Sequence, residues 1–177
     1  PGFTPLYPEH ISALADTRLD TKTVLTEFAD SFYQEAKKSE TYGYSATVSV
    51  NRTEYPEQTA APVRQMLGNP ASEADPENLQ HFDRPGLYGI STLARFFDLE
   101  HYMETVGRAE DFPAFQTRLN EVVPYRAATP AFLPQSHGFT VTRHSGLTTY
   151  VERPEYEAGR INAAWRETAW YRAIHPF

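Results

Sequence analysis

The chain has 177 residues, with 16 Lys and Arg against 23 Asp and Glu, a net charge of −7, and no cysteine. That balance lacks the basic face a general nucleic-acid binder needs in order to release counterions. The missing cysteine removes disulfides, thiolate metal ligands and any cysteine nucleophile from these residues.

Aromatic residues make up 14% of the chain and apolar ones 40%, enough to bury the core of a single domain over 1–177. No stretch approaches the 18 or so apolar residues of a membrane span. The opening Pro1-Gly2-Phe3-Thr4-Pro5 has neither the charged head nor the apolar stretch of a signal peptide, so the expected location is cytoplasmic. The triplet Asn51-Arg52-Thr53 matches a glycosylation sequon, a motif that also arises by chance.

A short helix is expected around Pro8 to Ala15, with proline in its first turn. The next is better marked. With Asp20 as N-cap, Val24, Leu25, Phe28, Ala29, Phe32, Tyr33 and Ala36 recur at helical spacing, which predicts a helix over 20–38. Residues 42–50 alternate instead. Tyr42, Tyr44, Ala46, Val48 and Val50 fall on one side of an extended strand, with Gly43, Ser45, Thr47 and Ser49 on the other.

Pro56, Pro62, Pro70, Pro76 and Pro85 then mark 54–90 as an irregular loop or arm, with a turn or two of helix only between Pro62 and Leu67. Helical spacing returns over 91–122, as a pair of helices parted at Gly107. Residues 124–136 carry three prolines and read as an extended connector.

The threonine-rich run over 138–152 predicts a β-hairpin turning at Ser145-Gly146. A last helix is expected over 154–173. Trp165 and Trp170 would stand about 140° apart on it, so they could not share one narrow stripe. The fold class implied is α+β. A small antiparallel sheet, strand 42–50 plus the hairpin, packs against amphipathic helices 20–38, 91–122 and 154–173, with long proline-rich loops between them.

No catalytic signature is legible. The sequence holds no H-E-x-x-H, no G-x-S-x-G and no glycine-rich phosphate loop. No cofactor is implied, and no known family's motif can be read. His101 and Glu104 share a helix face and are the weak candidates for a metal. On the hairpin, His144, Tyr150, Glu152 and Arg143 are the weak candidates for acid–base work. Tyr42, Tyr44, Phe139, Val141 and Tyr150 would line a ligand pocket if the sheet curled. Trp165, Trp170 and Tyr171 are the candidates for an interface.

Surplus aromatics and long proline-rich arms favour a non-catalytic structural or interaction subunit. It would associate with itself or with other protein chains, not with nucleic acid or across a membrane. The alternative is a small α+β enzyme or ligand-binding domain, with an aromatic-lined pocket using His, Glu and Tyr groups.

Overall fold

The computed structural model describes residues 20–40, 43–53, 56–83, 94–134, 138–153 and 159–175. The expected helix near residues 8–15, and Tyr42, lie outside them. The class is α+β, built from helices and antiparallel strand pairs.

Helix α1 (Thr21–Ala36) starts where its sequence indicates. Asp20 accepts from the Thr23 backbone N–H at 3.1 Å, satisfying one donor that the first turn cannot pair internally. Its apolar side lies on an antiparallel ribbon of β1 (Thr47–Val50) and β3 (Tyr125–Ala128). Two tyrosines fasten the layers. The Tyr33 hydroxyl donates to the Ala128 carbonyl at 3.1 Å, and the Tyr125 hydroxyl to Asp30 Oδ1 at 2.8 Å.

The strand is shorter than the alternation over 42–50 suggests. Gly43 and Tyr44 take φ of +60° and +55°, and two successive left-handed residues turn the chain where a strand would run on. Tyr44 is 49% exposed on that turn. The side of β1 expected to be merely small and polar is covered: Ser49 Oγ donates to the Gly146 carbonyl at 2.9 Å.

The largest correction concerns 54–90. Helix α2 (Pro56–Gly68) occupies much of what the prolines mark as irregular. Pro62 sits inside it and leaves the Gln58 carbonyl without its helical donor. Packing overrides that loss, because Thr59, Ala60, Val63 and Met66 recur at helical spacing and are all essentially sealed.

Against α2 lie α3 (Leu99–Val106), α4 (Phe112–Val122) and the final helix α6 (Ala169–Ile174). Together they bury Leu99, Met103, Phe115, Leu119 and Ile174 in the main core. Gly107 ends α3 where Met66 crosses it; a Cβ there would stand 2.0 Å from the Met66 methyl.

No hairpin forms over 138–152. Strand β5 (Phe139–Thr140) pairs with β4 (Ala131–Phe132), and β6 (Thr148–Thr149) pairs with β2 (Phe97–Asp98). The 131–132 pairing takes the expected connector into structure. Between β5 and β6 the chain is held by long-range bonds, not by a two-residue turn: Gln80 Oε1 accepts from Thr142 N at 2.8 Å, and Asp98 Oδ2 from Ser145 N at 2.6 Å.

The expected helix over 154–173 is two helices, α5 (Gly159–Arg166) and α6. Thr168 interrupts them and caps α6 by accepting from Tyr171 N at 3.1 Å. The break resolves the geometry of the two indoles, since both Trp165 and Trp170 pack half-buried against the main core.

Candidate functional site

The residues singled out from sequence disperse. Phe139 stacks on Phe132, ring centres 5.4 Å apart, meets Phe82 edge to face and lies tilted against His81. Val141 is buried beside them, its N–H on the Pro130 carbonyl. Tyr44 lies out on its turn and Tyr150 packs elsewhere, so these side chains line no common pocket.

His144 Nε2 donates to the Val48 carbonyl at 3.1 Å, and its Nδ1 is buried without a partner. Arg143 pairs with Glu104 at 2.9 Å. His101 Nδ1 accepts from Gln80 N at 3.0 Å. The pair expected to share a ligand is thus spent separately. Among the described residues no three His, Asp or Glu side chains gather as metal ligands do.

Two residues that the sequence pattern does not flag organise the loops. Gln80 is 8% exposed. Its Nε2 donates to the His81 and Thr140 carbonyls at 2.8 and 2.9 Å, while its Oε1 receives Thr142. Asp98 is 1% exposed. It caps α3 through the His101 N–H at 2.9 Å and fixes the 144–146 segment through Ser145 N. Nothing in periodicity marks a lone buried Gln or Asp.

Beside them stands His81. Its Nδ1 donates to the Asp83 carbonyl at 2.9 Å and lies 3.5 Å from the Asp83 carboxylate. That carboxylate raises the His81 pKa above the usual histidine range, against the opposing effect of burial.

Among the described residues, hollows flank the C-terminal helices. One, of about 200 Å³, runs between Thr59, Leu99, Val122, Leu147 and Trp170, and is mainly apolar. Another, of about 290 Å³, gathers Tyr102, Tyr150, Glu152, Trp165, Tyr171 and His175. It unites two acid–base candidates with two interface candidates, and adds Tyr102 and His175. The Tyr150 and Trp165 ring centres are 5.8 Å apart at 61°, and those of Trp165 and Tyr171 5.9 Å apart at 77°.

The Tyr150 hydroxyl donates to Asn162 Oδ1 at 2.5 Å. Glu152 takes both Nε and Nη2 of Arg166, at 2.9 and 2.5 Å. Burial, with Glu152 adding to it, pushes the Tyr102 hydroxyl up, and burial pushes His175 down. Both shifts favour the uncharged form, and this hollow combines aromatic rings with one carboxylate.

No protein-family model and no curated relative matches the sequence. Solved structures do match the fold. A clostripain from Bacteroides thetaiotaomicron, in complex with a peptide inhibitor, superposes with a TM-score of 0.75 at 21% identity, over 97% of this chain and 71% of that one. A secreted C11 cysteine protease from the same organism gives 0.71 at 22%, over 94% and 44%. An inactive zymogen C11 protease from Parabacteroides distasonis gives 0.69 at 21%, over 88% and 44%.

The chain therefore spans nearly three-quarters of the first structure and under half of the other two. The likeness corrects the expectation of a non-catalytic structural protein or complex subunit, which rested on long proline-rich arms, surplus aromatics and the lack of a catalytic signature. The fold is one that these cysteine proteases share.

Among the described residues no helix is long and apolar enough to cross a membrane.

Proposed function

We propose that this chain forms part of the catalytic body of a peptidase of the C11 cysteine-protease kind, acting on peptide bonds. The observation that carries the reading is the shared fold, extending over 88–97% of the chain against three such enzymes. A cysteine protease attacks the peptide carbonyl with a thiolate. These 177 residues contain no cysteine, so in this reading the nucleophile comes from polypeptide outside them. The contribution of the chain is shape: α2, α3, α4 and α6 give a packed base, and Gln80 and Asp98 fix the loops above it.

The test uses the protein isolated from its own cells, with whatever polypeptide accompanies it. It should hydrolyse a peptide amide and be labelled by a thiol-directed peptidyl ketone, while the 177-residue chain alone does neither. Two results overturn the reading. One is hydrolysis by the isolated chain, which would require a different nucleophile. The other is absence of both hydrolysis and labelling in the native protein.

A further inference from the structure

The hollow around Trp165 has the makings of a cation site. Tyr150, Trp165 and Tyr171 line it and meet edge to face, at 61° and 77° from one to the next, with the His175 ring centre 4.4 Å from that of Tyr171. Ring faces carry negative electrostatic potential and attract cations held against them. Glu152 lies on the same lining and supplies a full negative charge. Burial pushes the pKa of His175, on the same lining, down, which disfavours a positive charge on that ring. The volume, about 290 Å³, is small for a drug-sized ligand and suits a compact head group. The neighbouring 200 Å³ hollow around Trp170 has no carboxylate among its lining residues, so the combination belongs to this one.

The carboxylate already holds a cation of the chain itself. Arg166, on the last turn of α5, forks onto Glu152, and it is the outer partner: its side chain is 56% exposed against 31% for Glu152. The fork is bidentate, so a ligand for Glu152 has to compete with the Arg166 guanidinium from its solvent-exposed side.

We propose that this hollow binds an alkylated ammonium group against Tyr150, Trp165 and Tyr171, with Glu152 as counter-ion and Arg166 as a displaceable internal occupant. The proposal does not rest on the peptidase reading. Free quaternary amines and the trimethyllysine side chain of a modified protein share the chemistry that would be recognised.

Calorimetric titration tests it with choline, with the neutral tert-butyl analogue in which carbon replaces the nitrogen, and with an acetylated trimethyllysine amide. Arg166→Gln should bind choline about tenfold more tightly than wild type, because the competing guanidinium is gone. The neutral analogue should bind at least about tenfold more weakly than choline. Adding Glu152→Gln should remove the difference. Whichever of choline and the lysine amide binds more tightly identifies the source.

Thermal unfolding checks that each variant is folded, and Arg166→Met gives the same reading should the Gln variant fail. No choline binding by folded Arg166 variants, equal binding of the neutral analogue, or undiminished choline selectivity after Glu152→Gln would each overturn the proposal.

Discussion

The helical half of the molecule and the loop-knit half are held by different forces. In the first, α2, α3, α4 and α6 meet mainly through apolar side chains, and Phe115, Leu119, Met103 and Val63 are fully sealed. In the second, the buried apolar cluster among the described residues is Leu79, Ala94, Phe97 and Val151, and the segments 80–83, 97–98 and 139–149 are joined largely through Gln80 and Asp98. Non-directional burial tolerates repacking, whereas a buried polar hub leaves several groups orphaned when it is lost. The two halves should therefore fail differently.

The largest effect is expected in the helical half. Phe115→Ala opens a cavity against α2 and α3, and should cost about 3–5 kcal/mol in chemical denaturation. A loss under about 1 kcal/mol would mean that this core is loosely packed.

Gln80→Leu keeps the volume but strands the Thr140 carbonyl and the Thr142 N–H, for about 2–3 kcal/mol. Its signature is spatial. Amide exchange should accelerate over 139–146 while α2 and α4 stay protected. Uniform acceleration across both halves would show that they unfold as one unit and dissolve the contrast.

A smaller effect is expected at Gly146, where φ is +84° and a Cβ would stand 2.6 Å from a Val123 methyl. Gly146→Ala should cost about 1–2 kcal/mol, from strain and crowding against the end of α4. Measured by thermal unfolding, an unchanged midpoint would mean the loop swings clear of β1 and β3.

The same division explains what the sequence made legible. Helix α1 could be read because Asp20 caps it and Val24, Phe28 and Ala36 keep helical spacing. The core positions Leu99, Met103, Phe115 and Leu119 follow the same rule. Helix α2 was hidden by Pro62, since local propensity argued against a helix that tertiary packing supports.

In the loop-knit half, strands of two residues carry too little pattern to show a partner. The pairing of 148–149 with 97–98 depends on contacts some fifty residues away in sequence. The hollow around Trp165 was partly legible, since Tyr150, Glu152, Trp165 and Tyr171 were all singled out. What joined them was the break at Thr168, which a continuous helical reading of 154–173 conceals. The likeness to the fold of cysteine proteases could not be read at all, because the residue type that names their chemistry is absent from the chain.

Two histidines, one in each half, should make the contrast visible in the pH dependence of stability. In the loop-knit half, the Asp83 carboxylate first and Glu77 more weakly raise the His81 pKa above its unfolded value near 6.5. The stability this contributes is fully present below about pH 6.5 and is lost as pH rises through the folded value. Beside the helical half, burial lowers the His175 pKa, with Glu152 opposing it only in part. That contribution has the opposite sign: it is present above about pH 6.5 and is lost as pH falls through the folded value. In the wild type the two slopes partly cancel. His81→Asn should leave stability rising with pH across this window, and His175→Asn should leave it falling. Denaturation midpoints at several pH values for both variants decide the matter. Parallel curves would mean that neither ring senses its neighbours differently in the folded and unfolded chain.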